Sequence, residues 1–152
     1  ITIKQICDRA GVIRATFYNY FDDKYDCLNA IVKMDIGANT EEADIEQVIR
    51  QVLITIDQNR EFYKAAYRVV GQNSFEDMVR TNLAVTLKAY LDAHRREDRL
   101  KQYSNELLSR YYAECIAFDI REFVFQREEI QGVEGMTHMV IDLMQNSLVD
   151  LL

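Results

Sequence analysis

Apolar positions recur at helical spacing along almost the whole chain. Ile3, Ile6 and Ala10 fall at i, i+3 and i+7, one face of a short helix that the Thr2 hydroxyl can cap. Gly11 follows at a position where a left-handed backbone costs glycine almost nothing. Val12 can plug the angle to a second helix over Ile13 to Phe21, with Ile13, Phe17 and Phe21 expected to face inward at i, i+4 and i+8. Asp23 to about Ile36 reads as a connecting helix ending at Gly37. Asp44 to Gln58 carries a strong 3.6-period stripe through Ile45, Val48, Ile49, Val52, Leu53 and Ile56. Asn59 can cap a helix through Val70, and Ser74 one from Phe75 to about His94. Two more are expected, from Ser104 to about Arg127 and from about Met136 to Leu152, the latter through Ser147, Leu148 and Leu151. No segment alternates with period two for long, and no Asn-Gly or Asp-Gly pair marks a hairpin, so the pattern predicts an all-α fold.

Two short helices joined at a glycine are the architecture of a helix-turn-helix, whose second helix enters the DNA major groove. The residues left outside the Ile13, Phe17, Phe21 stripe suit that task. Arg14 can reach a guanine edge or a phosphate, and Asn19 has the amide geometry for adenine. Ala15 is small enough to let the helix sit deep or touch a thymine methyl. Thr16, Tyr18 and Tyr20 offer hydroxyls to phosphates, and Lys24 offers a charge beside the free N–H groups of the next helix. A short αα-hairpin with a solvated polar face is the alternative for the same pattern.

The string as a whole resembles the DNA-binding domain of the TetR family of transcriptional regulators. The matching elements are Thr2-Ile3, Ile6, Ala10-Gly11-Val12, Thr16-Phe17-Tyr18, Tyr20-Phe21, Lys24 and Leu28, over about the first thirty-three residues. The run from Phe17 through Asp26 is similar to a branch from Gram-positive bacteria that includes regulators of dihydroxyacetone kinase operons. The resemblance implies DNA contacts at Thr2, Arg14, Ala15, Tyr18, Asn19, Tyr20 and Lys24. It also implies a DNA-binding domain at 1–33 and a helical regulatory and dimerisation domain at 34–152. Three features depart from the family pattern. The helix that members carry ahead of Thr2 has no counterpart in these residues, so those preceding Ile1 decide whether the head is complete. Ile13 stands where Ser is common, removing a helix cap worth ~1 kcal/mol. Cys7 replaces a small Ala, a change that a buried thiol tolerates.

Charge qualifies the picture. The chain carries a net −7, but residues 1–33 hold five Lys/Arg against four Asp, giving +1, and the remainder holds −8. A nearly neutral head on an acidic body fits DNA engaged at one end, with modest non-specific affinity. Apolar residues make up 49% of the 152, enough for a core. No uncharged apolar run of eighteen exists, so neither a transmembrane span nor a membrane partner is expected, and no signal-peptide pattern opens the sequence. Cys7, Cys27 and Cys115 are scattered, as reduced thiols of a cytoplasmic protein would be.

The last two helices are apolar over a broad arc: Tyr111, Tyr112, Cys115, Ile116, Phe118, Phe123, Val124 and Phe125 on one, Met139, Val140, Ile141, Leu143, Met144 and Leu148 on the other. Burial on two sides is implied, either by a large monomeric core or by a two-fold partner, and the resemblance favours a homodimer. Phe62, Tyr63, Tyr67, Tyr90, Tyr111, Tyr112 and Phe118 could be plain core or could line a ligand pocket. His94 and His138 stand alone, so neither a metal nor any other cofactor is expected. No phosphate loop and no nucleophile with a recognisable base is present, so no catalytic residues are expected and the chain does not read as an enzyme. The mixed-sign run from His94 to Lys101 reads as a solvated turn. The expectation is a bacterial TetR-type regulator, a repressor in the commoner sense, binding a near-palindromic operator as a homodimer. A small inducer or a protein partner on the C-terminal body would modulate it. The alternative is an interaction protein or coactivator on the same scaffold that acts through a protein partner.

Overall fold

Apolar period and cap chemistry reappear in the computed structural model, which describes residues 1–36, 44–71, 74–96, 100–125 and 132–146. These residues form eight helices and no strand: α1 (Ile3–Ala10), α2 (Arg14–Tyr18), α3 (Lys24–Ile36), α4 (Ile45–Gln58), α5 (Arg60–Ala66), α6 (Phe75–His94), α7 (Asn105–Phe125) and α8 (Gly132–Gln145). The all-α expectation holds. Ser74 caps α6 as its sequence implies, accepting from the Asp77 N–H at 3.1 Å. Asn59 does not cap α5 with its side chain, which instead donates back to the Thr55 carbonyl at 2.9 Å.

Several boundaries differ from the periodic reading. The second helix is only five residues long, because Ile13 lies ahead of it in extended backbone (φ −81°, ψ 157°). Ile13 is therefore off the helical face and 71% exposed rather than inward. Val12 is also exposed. The helix expected to run through Val70 stops at Ala66, and β-branched Val69 and Val70 lead into Gly71 at φ 101°. The last helix begins at Gly132, a turn earlier than Met136. Gly37, Arg127, Ser147, Leu148 and Leu151 lie outside the described residues.

The core lies where α6 and α7 pack along each other, with α4 against α8 and α3 laid across α6. Phe75, Tyr63, Ile56, Met136 and Val124 are almost fully buried. Each large apolar side chain so buried stabilises the fold by about 1.5–3 kcal/mol. Arg60 ties the start of α5 to the end of α7: its guanidinium donates to the carbonyls of Phe123 and Val124 and lies 4.5 Å from the Phe123 ring centroid. Carbonyls in a last helical turn lack helical partners, so this cation satisfies acceptors that burial would otherwise strand. On the flank, Arg80 of α6 pairs with Glu76, Asp77 and Glu114, reaching the last across to α7 at 2.8 Å.

α3 joins the two ends of the molecule. Asn29 accepts at 2.8 Å from the amide of Asn82, a buried residue of α6, and Asp35 accepts from the hydroxyl of Tyr63 on α5. Buried amides and phenols need such partners, so these two contacts fix how α3 lies on the body.

Candidate nucleic-acid interface

The first twenty-four residues make two short helices at an angle set by one turn. Thr2 forms a capping box: its hydroxyl accepts from the Gln5 N–H at 3.2 Å, while the Gln5 side chain accepts from the Thr2 N–H at 2.8 Å. Gly11 has φ 69° and ψ 27°, and the Val12 N–H returns to the Cys7 carbonyl at 3.0 Å. That left-handed conformation strains any residue bearing a Cβ, although open space surrounds the position.

Phe17 anchors the second helix. It is buried, edge-on to Tyr18 at 5.6 Å and tilted against Phe21 at 5.3 Å. Cys7, the buried residue of α1, fills the space given to Ala in the family pattern. With Phe17 turned inward, Arg14, Ala15, Tyr18 and Asn19 are exposed, and Tyr20 follows just beyond the helix end at 75% exposed. Arg14 forms no ion pair among the described residues, so its guanidinium is free to meet a phosphate or a base edge. Thr16 is half-buried. Lys24 is half-buried too, its Nζ 3.5 Å from the Ile1 carbonyl and 5.0 Å from the Tyr25 ring centroid.

One element of the expected phosphate contact is already occupied. Asp23 caps α3, its Oδ1 accepting from the N–H groups of Tyr25 at 2.7 Å and Asp26 at 2.8 Å. Those donors are therefore not free for phosphate, and the Lys24 side chain is what remains there.

The seven aromatic residues considered for a ligand pocket fall in separate places. Tyr63 is core: it donates to Asp35, and burial followed by that carboxylate pushes its phenol well above the ordinary tyrosine range. Tyr67 packs edge-on against Phe75 and Phe125, and its hydroxyl has no hydrogen-bond partner among the described residues. Burial raises its pKa as well. Phe62 is 40% exposed beside Tyr63. Tyr90 stacks on His94 and borders a cavity of about 40 Å³ under α4 and α6. Tyr111, Tyr112 and Phe118 line a groove of about 890 Å³ between α7 and α8. Sequence reasoning passed over Asp119, which borders both spaces and is buried. Its signal was present: it shares the i, i+3, i+4 face of Ile116, Ile120 and Phe123, all buried. Burial lifts the Asp119 carboxyl from the ordinary aspartate range to about 6. Among the described residues no group of His, Cys, Asp and Glu could hold a metal ion, and no helix is long and apolar enough to cross a membrane.

Comparison with known proteins bears on both ends of the chain. Residues 1–31 match the family model described as bacterial regulatory proteins, tetR family, and residues 43–120 match the one described as transcriptional regulator C-terminal region. No curated protein matches at the sequence level. Among solved structures, the dihydroxyacetone kinase operon activator DhaS is similar, with a TM-score of 0.64 and 19% identity over 95% of this chain and 82% of that one. At that identity the likeness concerns the fold.

Proposed function

Since the chain belongs to the TetR family of bacterial transcriptional regulators, we propose that it binds operator DNA as a homodimer through the outward face of α2. The carrying observation is that face: Arg14, Ala15, Tyr18 and Asn19 are exposed around an inward Phe17, and Arg14 has no competing carboxylate among the described residues. Arg14 and Asn19 read base edges, while Thr2, Thr16, Tyr18, Tyr20 and Lys24 hold phosphates. Two copies present two such helices to successive major grooves about 34–36 Å apart on a near-palindromic site.

Dimerisation falls to α7 and α8. Tyr111, Phe118 and Leu143 expose large apolar surface there, which supports a second copy as the cover. The body, residues 34–152, takes a ligand or protein partner, and α3 carries the consequence to the head, residues 1–33. Its contacts with α6 and α5 at Asn82 and Tyr63 make its placement depend on body packing. A ligand favouring one body packing thereby shifts the population of head spacings that fit DNA. We read the sense as repression, the commoner one in the family: ligand binding releases DNA and so lifts a block on transcription.

Duplexes selected from a random pool by the complete protein, then titrated at several salt concentrations, test this reading. Lys24→Ala should weaken binding across sequences and reduce the slope of log K against log salt by about one. An unchanged slope and affinity, or no selection of any duplex by the wild type, would remove the proposed docking. The second outcome leaves a scaffold that acts through a protein partner.

A further inference from the structure

Asp119 stands out among the polar side chains of the body. It is 6% exposed on α7, between buried Ile116 and Ile120, yet no hydrogen bond or ion pair reaches its carboxylate among the described residues. Buried carboxylates are ordinarily paired, because leaving a charge desolvated and unmet is costly, and an apolar side chain here would pack without that cost. On its inner side lies the small cavity, to which α4 presents only apolar side chains and α6 adds Thr86 and Tyr90. On its outer side lies the groove between α7 and α8, where Glu114 and Asp142 join it and no Lys, Arg or His does. Of these three acids only Glu114 has a described cationic partner, Arg80. The two cations of α7 turn toward α6 instead: Arg110 lines a cleft there beside Arg80 and Lys88, and Arg121 lies 3.7 Å from Glu76. Cys115, one turn earlier on α7, has its thiol pushed up by burial and then by Asp119.

A two-fold interface sets the same patch of each copy against the other. A second copy seated on α7 and α8 therefore brings its own Asp119, Glu114 and Asp142 to the groove, brings no cation from that lining, and displaces the water there. We propose that the dimer takes up protons at its two Asp119 carboxyls as it forms, so that acidity strengthens the α7 and α8 interface and, through it, operator binding. In the single subunit, burial already lifts this carboxyl to about 6. Covering it removes more solvent and adds like charge, and both favour the protonated form. The dimer then holds more protons than two separate subunits, and association weakens as pH rises above about 6. A tenfold gain in proton affinity at each carboxyl makes the dimer dissociation constant ~25-fold larger at pH 8 than at pH 6. The folded subunit's own response to this group is complete near pH 6, so a change above that value belongs to association. This inference rests on the reading of α7 and α8 as the dimer face, and names how that face is regulated.

Sedimentation of the fluorescently labelled complete protein, from picomolar to micromolar at pH 6, 7 and 8 and constant ionic strength, provides the test. Subunit exchange between two labelled pools is followed alongside, so that a very tight dimer still gives a reading. The wild-type dissociation constant should rise at least ~10-fold from pH 6 to pH 8, and exchange should quicken. Asp119→Asn, uncharged throughout, should lose that dependence. His138→Gln, which removes the imidazole of α8, should keep it. A constant and an exchange rate that do not change with pH overturn the proposal, as does an undiminished dependence in Asp119→Asn or its loss in His138→Gln. Operator titrations on the same samples separate the two levels. A wild type that stays monomeric at every pH and concentration removes the dimer reading and the proposal with it, whereas a dimer that binds operator but ignores pH contradicts the proton linkage alone.

Discussion

Replacing Asp119 with Asn removes one ionisation from the core at nearly constant shape, and its effect on stability can be worked from the structure. The folded carboxyl titrates near 6 because of burial, against an unfolded value near 3.9. Between those values the native state binds more protons than the unfolded chain, so this group makes wild-type stability fall as pH rises from about 4 to about 6, with no further loss above. Two pH units of displacement correspond to at most about 3 kcal/mol, and water reaching the carboxyl from the groove reduces the expected figure to about 2 kcal/mol. Asp119→Asn should thus be more stable than wild type by about 2 kcal/mol at pH 7.5, and the gap should close to within ~0.5 kcal/mol at pH 4. Urea unfolding at fixed protein concentration, followed by circular dichroism across pH 4–8, measures the gap directly, because the two proteins differ at this one group. A gap independent of pH, or a variant less stable at pH 7.5, refutes the assignment of an unpaired buried carboxylate.

Other expectations follow from particular contacts. Phe17→Ala empties the space under α2 and should cost about 3 kcal/mol of head stability, checked by hydrogen exchange at the α1 and α2 amides. Gly11→Ala places a Cβ on a backbone at φ 69° and should cost about 1 kcal/mol in urea titration, the price of strain since nothing lies near enough to clash. Tyr63→Phe removes the hydroxyl bonded to Asp35 and should destabilise by about 1 kcal/mol while weakening ligand control of DNA affinity, read from paired titrations with and without ligand. Unaltered control would show that α3 is not coupled through that contact.

How much of this was legible in the sequence depended on whether neighbours or spacing decided each position. Gly11 after Ala10 and Ser74 before Phe75 carry their own chemistry, so the turn and the start of α6 could be read directly. The stripe through Ile49, Val52, Leu53 and Ile56 was equally plain, since each falls on one face and each is buried. Ile13 misled because periodicity presumes a helix, and the helix starts one residue later. Gly132 and Gly135 concealed the first turn of α8, which tertiary packing nevertheless keeps helical, with Thr137 buried and its hydroxyl bonded to the Val133 carbonyl at 2.8 Å. The aromatic residues of the body gave no hint of their division between core, cavity and groove, because identical residue types serve all three. Asp119 differed: one acid on a buried apolar face was visible, but which spaces it bordered required the packing of α4, α6 and α8 around α7.

The claim that the outward face of α2 reads DNA is tested most directly by affinities on a panel of single-base variants of a selected duplex. Wild type should lose about 1–3 kcal/mol at each specified base pair, and Arg14→Ala should flatten that profile at one symmetry-related position in each half-site while leaving the other positions unchanged. A variant whose base profile matches that of the wild type at every position would contradict the account.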